Sequence, residues 1–198
     1  MTSMSRIGFA GSLALLLGAC TATMGHAPID VTRYHLGSAI PPGSVSVEPI
    51  PSGPHAGPEF DTYSGPVGAE LARLGFAAMP GPDSTYVAAV SLTRTFRGTV
   101  RERPPVTIGL GGSSYGSGVG VGGGLSFGIG GKRRNVIVSD LGLQLKRRSD
   151  GGVVWEGHAV TEALQGTEAN QPAAVATRLA HALFQGFPGE SGVTITVK

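Results

Sequence analysis

The segment Gly112-Ser113-Ser114-Tyr115-Gly116 matches the G-x-S-x-G pattern that surrounds the nucleophile of serine hydrolases. Asp140 follows, and then His158 or His181, in the chain order in which those enzymes supply their acid and base. The pattern needs a helix directly after the serine, but the next residues are largely glycine, which opposes helix formation. We therefore keep a serine hydrolase that uses Ser114 as an alternative and favour a protein that is not an enzyme.

Other site chemistries find little support in the sequence. Gly118, Gly120 and Gly123 have the spacing of a dinucleotide-binding loop, but no βαβ pattern surrounds them. A structural zinc site would need free thiols or histidines spaced to share one metal, and no two histidines lie three or four residues apart. We predict neither a cofactor nor a metal site. The five histidines are His26, His35, His55, His158 and His181.

The single cysteine, Cys20, ends a segment that is typical of an export signal. Arg6 gives a cationic start, residues 13–17 are apolar, and Gly18-Ala19 places small residues before the cysteine. This arrangement resembles the lipobox of bacterial lipoproteins. The resemblance implies that residues 1–19 form a signal peptide and that the Cys20 thiol carries diacylglycerol after cleavage.

The residues after Cys20 bear on which membrane would hold the protein. Neither Thr21 nor Ala22 is the aspartate that favours inner-membrane retention of lipoproteins in enteric bacteria. We therefore expect attachment to the outer membrane, on its periplasmic face. A single acyl chain binds a bilayer only marginally, whereas two or more hold a protein stably.

Composition narrows the class of protein further. The formal net charge is only +2, so the chain has no concentrated basic excess of the kind that nucleic-acid binding requires. No run of 18 strongly apolar residues follows the signal segment, so a conventional membrane-spanning helix is not expected. Residues 20–30 are small and polar and predict a tether, which leaves 31–198 as one domain.

Hydrophobic patterning predicts an α+β domain, with an antiparallel sheet and two helices packed on one face of it. Asp150-Gly151 marks the clearest hairpin turn, and Trp155 in the strand after it is expected in the core. Arg94 breaks an apolar strand face and is expected to pair with Glu156 or Glu162. Strands are predicted at 31–36, 44–50, 85–100, 135–146, 153–164 and 192–197, and helices at 64–75 and 170–186, with a loop at 51–58.

Several short motifs in this order resemble DUF4136, a family of uncharacterised bacterial lipoproteins. They are the lipobox at 17–20, a Gly-rich insert, Val154-Trp155-Glu156-Gly157, and the segment from Leu183 to Gly189. The resemblance spans most of 17–198. It implies an α+β periplasmic domain tethered to a membrane, and it implies no catalytic residues or cofactor.

The Gly-rich insert at 106–131 carries no charge, and 12 of the 23 residues from Gly109 to Gly131 are glycine. Apolar residues alternate with Gly or Ser, which favours a hairpin turning near 113–118 with an edge open to another chain. A disordered insert and a glycine-zipper membrane helix remain alternatives. The hairpin predicts self-association or docking on an envelope protein.

Two basic clusters are expected at hairpin ends: Lys132-Arg133-Arg134 and Lys146-Arg147-Arg148. These clusters could contact anionic lipid headgroups, or they could be solvated turn residues. We favour the second interpretation. Taken together, the sequence predicts a non-enzymatic binding or structural module of the bacterial envelope. A carrier of a lipid or small ligand is a further alternative.

Overall fold

The computed structural model describes residues 27–51, 57–101, 106–110, 125–129 and 132–198. This part of the chain forms an α+β fold with a seven-stranded mixed sheet, a separate two-stranded sheet and two α-helices. The elements are β1 (Ile29–His35), β2 (Ser44–Pro49), α1 (Pro58–Arg73), β3 (Ala77–Ala78), β4 (Tyr86–Arg101), β5 (Val106–Leu110), β6 (Leu125–Ile129), β7 (Arg133–Arg147), β8 (Val153–Leu164), a 3₁₀ turn (Glu168–Asn170), α2 (Pro172–Phe184) and β9 (Thr194–Val197).

The strand order of the large sheet is β3-β2-β4-β7-β8-β1-β9. The run from β4 to β9 is antiparallel, but β2 pairs in parallel with both β3 and β4. The purely antiparallel sheet predicted from the sequence is therefore wrong at this edge. The physical reason is the connection: α1 lies between β2 and the next strands, and a helical crossover returns the chain in its original direction.

The hairpin predicted at Asp150-Gly151 is confirmed. β7 and β8 pair from Val136 and Leu164 at one end to Lys146 and Val153 at the other. Gly151 adopts a positive φ of 69°, which a glycine accepts without steric cost. The Asp150 carboxylate accepts a hydrogen bond of 3.0 Å from the Gly152 amide and so closes the turn.

Helix α1 begins earlier than the sequence pattern predicted. Ser64 and Pro66 were expected to start it, but the helix starts at Pro58, and Pro66 lies inside it. Pro58 suits the first helical position because its missing N–H would have no partner there. The extra turns bury two aromatic side chains that extend the apolar stripe; the buried residues of α1 are Phe60, Tyr63, Val67 and Leu71.

One apolar core joins the helices to the sheet. Trp155 is fully buried in it, as predicted, and so are Leu141, Leu143 and Leu145 of β7. Helix α1 packs along α2, and α2 contacts β1, β7 and β8. No helix of the described residues is both long and apolar enough to cross a membrane.

The Gly-rich insert is described only where it enters and leaves. β5 pairs with β6 in antiparallel register, from Val106 opposite Ile129 to Leu110 opposite Leu125. Residues 111–124, with Ser114 and the turn of the predicted hairpin, lie outside the described residues. The hairpin therefore stays a prediction.

Candidate functional site

The structure brings together two of the residues that the sequence singled out for chemistry. Asp140 on β7 and His158 on β8 are neighbours, with His158 Nδ1 at 3.2 Å from Asp140 Oδ1. His181 lies elsewhere, on α2, where its Nδ1 is 3.3 Å from Glu70 Oε1. Cys20, His26, His55 and Ser114 lie outside the described residues.

His158 stands on the solvent-facing side of the sheet. Side chains along β8 alternate between the buried Trp155 and Ala159 and the half-buried Glu156 and His158. His158 Nε2 lies 3.6 Å from Glu156 Oε1, so a carboxylate faces each ring nitrogen. Gln144 donates a hydrogen bond of 3.4 Å to the same Glu156 oxygen. We call Asp140, Gln144, Glu156 and His158 the histidine cluster.

Gly142 makes room for the imidazole. It lies directly opposite His158 in the β7–β8 ladder. A Cβ at position 142 would lie 3.1 Å from His158 Cε1 and 3.0 Å from Ser91 Oγ. The missing side chain therefore lets the ring lie low over the sheet, within reach of both carboxylates.

The two carboxylates favour the charged form of the histidine. The hydrogen bond with Asp140 raises the pKa of His158 above its usual 6.5, with a smaller contribution from Glu156, while partial burial opposes the shift. A protonated imidazole has no lone pair with which to accept a proton, so surroundings that stabilise the charged ring oppose its use as a general base. The geometry thus favours a stabilised cation over a hydrolase base.

The histidine cluster does not converge on a point where a metal could sit. Asp140 and Glu156 approach opposite nitrogens of one ring instead of sharing a common centre with it. Among the described residues, no group of three or more His, Cys, Asp or Glu side chains is arranged to hold a metal ion. The cluster is an ion-pair network on a sheet surface.

We expect Asp140→Asn to lower the pKa of His158, because the largest favourable contribution comes from Asp140. Glu156→Gln should lower it less. Since folding raises this pKa, the cluster's stabilisation is complete below about pH 6.5 and is lost as the pH rises through the folded-state value. An NMR titration of the His158 ring in the three proteins measures this, and equal values in all three would contradict the assignment.

The prediction that Arg94 pairs with Glu156 or Glu162 is wrong. Its Nη2 donates hydrogen bonds of 2.8 Å to the Asn170 carbonyl and 2.6 Å to Asn170 Oδ1. Glu156 belongs to the histidine cluster, and Glu162 pairs with Arg97. Arg94 points to the side of the sheet where the turn before α2 lies, a position that strand periodicity alone does not reveal.

Two motifs behind the family resemblance meet in the core. The ring of Trp155 stacks on Phe184, with centroids 5.7 Å apart and planes inclined by 11°. Trp155 Nε1 also donates a hydrogen bond of 2.9 Å to the Pro188 carbonyl. Gly157 faces Leu183, whose Cδ1 would lie 2.8 Å from a Cβ at position 157. These motifs fasten the end of α2 to β8, so in this structure their role is packing.

Sequence reasoning missed Arg33, which is buried at 4% exposure. Its Nε donates to the Leu183 carbonyl at 3.0 Å, and its Nη2 donates to Ala182 and Gln185 carbonyls at 3.0 and 2.8 Å. The guanidinium thus caps the carbonyl end of α2, where the helix dipole favours a cation. Burial lowers the pKa of Arg33, although a guanidinium stays charged in proteins. Its signal in the sequence is alternation with Ile29 and Val31.

This chain is similar to known proteins in sequence and in structure. No family model matches it. An uncharacterised protein from Zymomonas mobilis is 29% identical over 213 aligned positions, which cover 86% of this chain and 80% of that protein.

Two solved structures show distant likeness. PelC from Paraburkholderia phytofirmans, a dodecamer, has 17% identity and a TM-score of 0.39, covering 78% of this chain and 93% of PelC. A PDZ domain protein from Parabacteroides distasonis has 8% identity and a TM-score of 0.41, covering 86% and 39% of the two chains. Neither TM-score reaches 0.5, so no argument about fold or role rests on these likenesses.

Proposed function

We propose that this chain is a lipid-anchored, non-enzymatic binding or structural module of the bacterial envelope. The observation that carries the proposal is the sequence Leu17-Gly18-Ala19-Cys20, which ends an export-like segment with the only cysteine of the chain. The membership in DUF4136 that the motifs suggest belongs to the same proposal. The anchored protein would face the periplasm from the outer membrane.

In this proposal the two helices cover one face of the sheet and leave the other face free. Buried side chains of both helices share a core with alternate residues of β1, β4, β7 and β8. The opposite face carries polar groups, with the histidine cluster near its middle. A polar, open sheet face suits a surface for binding or assembly better than an enclosed reaction centre.

The Gly-rich segment is the proposed docking element. Residues 106–131 carry no charge, and β5 and β6 at their two ends are already paired as strands. A short isolated ribbon is marginally stable alone and gains by adding to another chain. We propose that this segment mediates association with a second copy or an envelope protein.

The test combines the anchor and the docking segment in one experiment. In cells, we expect the intact protein to fractionate with the outer membrane and to carry the mass of a diacylglyceryl group on Cys20. Cys20→Ser should abolish both the added mass and stable membrane attachment. Crosslinking should then capture a partner or a second copy with the full chain and not with a chain lacking 106–131.

Each part of the proposal can fail separately. An unmodified Cys20 in a membrane-bound protein would overturn the anchor. Identical crosslinked species with and without 106–131 would overturn the docking role and direct attention to the open face of the sheet. The control is Ser114→Ala, which keeps the segment and is expected to change neither result.

A further inference from the structure

The basic residues at one end of the large sheet face one another across two strands. β4 and β7 continue past the end of β8, because Leu164, the last residue of β8, pairs with Val136. Beyond that point Thr99 lies opposite Asn135, and Arg101 lies directly opposite Arg133. Both arginines are exposed, and so is the adjacent Lys132. We call Arg101, Lys132 and Arg133 the arginine end.

Like charges directly opposite each other destabilise an antiparallel pair. Among the described residues, no carboxylate lies within ion-pair distance of any side chain of the arginine end. Residues 101–103 and 132–134 together hold five basic side chains and one acid, Glu102, in the sequence. The three cations of the arginine end therefore have no neutralising carboxylate among the described residues and can meet an anionic partner.

The second basic cluster differs. Arg147 lies at the opposite end of β7, paired with Tyr86. Its guanidinium is 2.9 Å from Asp150, and Arg148 forms an ion pair with Glu48. These contacts neutralise Arg147 and Arg148 within the fold, as expected of solvated turn residues. The two basic clusters have similar sequences, but they differ in whether nearby carboxylates neutralise their arginines.

The chain enters the sheet from the side of the arginine end. β1 runs in the same direction as β7, since both are antiparallel to β8, and Ile29 is level with Thr161 and Ser139. The residues before Ile29 therefore lead toward Arg133. The start of the fold is held in place, because Arg178 donates to the Ala27 carbonyl at 2.7 Å and Thr161 donates to the Pro28 carbonyl at 2.9 Å.

The distances allow the anchor and the arginine end to reach one plane. Arg133 lies six residues before Ser139 on β7, which is about 20 Å along a strand. The chain from Cys20 to Ala27 spans at most about 25 Å when extended. This length is enough for a lipid on Cys20 to reach the level of the arginine pair.

We propose that the arginine end, from which residues 106–131 leave β4 and return to β7, binds anionic phospholipid headgroups of the membrane that holds Cys20. This binding turns that end of the sheet toward the bilayer. Guanidinium groups bind phosphate oxygens bidentately, and paired arginines suit this chemistry. Thr99, Val100, Arg101 and Arg133 line a surface hollow of about 380 Å³. Val100 is 43% exposed, and an apolar group beside cations fits the headgroup boundary. The orientation rests on the proposed anchor, whereas the headgroup chemistry does not.

The test uses residues 20–198 carrying Cys20→Ser, because the apolar signal segment at 1–19 would itself bind vesicles. Vesicle binding then reports the folded protein without its lipid. We expect binding to vesicles of phosphatidylglycerol and phosphatidylethanolamine, and loss of binding on phosphatidylcholine or at high salt. Arg101→Gln with Arg133→Gln should weaken the partition coefficient by roughly thirtyfold, since each basic residue near an anionic surface contributes about fivefold.

The matched control is Arg73→Gln with Lys146→Gln, which removes the same charge away from the arginine end. It should change partition by less than about twofold. Equal loss in the two double variants, equal binding to both vesicle types, or competition by inorganic phosphate without vesicle preference would overturn the proposal. The mass of Cys20 in cells is measured separately, so failure of the anchor and failure of the headgroup surface are distinguishable.

Discussion

Arg33→Met is expected to lower the free energy of unfolding by about 4 kcal/mol, because charged hydrogen bonds and the satisfaction of buried acceptors are lost together. Arg33 is 4% exposed and donates to three carbonyl oxygens at the end of α2. Methionine fills part of the space but donates nothing, so those carbonyls lose their partner. Urea denaturation of the Cys20→Ser chain, monitored by circular dichroism, measures the change.

Two further variants distinguish the hydrogen bonds of Arg33 from the effect of its charge and from the effect of replacing any arginine by methionine. Arg33→Lys keeps the charge but not the planar fork, so we expect it to recover only part of the loss. Arg73→Met removes an arginine whose side chain is 68% exposed and should cost less than about 0.5 kcal/mol. If Arg33→Met unfolded at the same urea concentration as the parent, the cap would have no energetic role.

Gly157→Ala is expected to destabilise the fold by about 3 kcal/mol through overpacking. A Cβ at position 157 would lie 2.5 Å from Trp155 Cη2 and 2.8 Å from Leu183 Cδ1, closer than such atoms can approach. Both neighbours are fully buried, so neither can move without disturbing the contact of Trp155 with Phe184. Thermal unfolding, with the near-ultraviolet circular dichroism of Trp155 as a second signal, reports the effect.

Gly142→Ala is the matched control on the neighbouring strand. Its Cβ would meet Ser91 Oγ at 3.0 Å and His158 Cε1 at 3.1 Å, and the imidazole on the open face can move away. Alanine is also favoured over glycine in a strand, so the net change should stay below about 1 kcal/mol. If Gly157→Ala and Gly142→Ala destabilised the fold equally, close packing against Trp155 would not be the reason that position 157 requires glycine.

Local chemistry accounts for the elements that the sequence predicted well. The Asp150-Gly151 turn, the alternation around Trp155 and the stripe of α2 each depend on residues a few positions apart. These local preferences agree with the final fold, because the residues that set the local conformation also fit the tertiary packing. Helix α1 shows the limit, since Pro66 fits a helix start and yet lies inside a longer helix stabilised by buried Phe60 and Tyr63.

The site residues divide in the same way. Asp140 and His158 were both noted in the sequence, but as parts of a hydrolase arrangement with Ser114. Their contact depends on the β7–β8 register and on the space above Gly142. The same register places Glu156 beside the His158 ring. Glu156 is therefore not paired with Arg94, which donates its hydrogen bond to Asn170 instead. Register couples residues that no short motif links.

Neighbouring residues and regular spacing were enough to predict the α+β class and the central hairpin, both of which the structure confirms. Lipid attachment at Cys20 rests on the same kind of local signal and stays a prediction. Long-range contacts in the fold set the parallel pairing of β2, the burial of Arg33 against α2 and the difference between the two basic clusters. These features join residues that are distant in the chain. Their energies depend on which charges and carbonyls meet after folding, and that information is absent from local sequence.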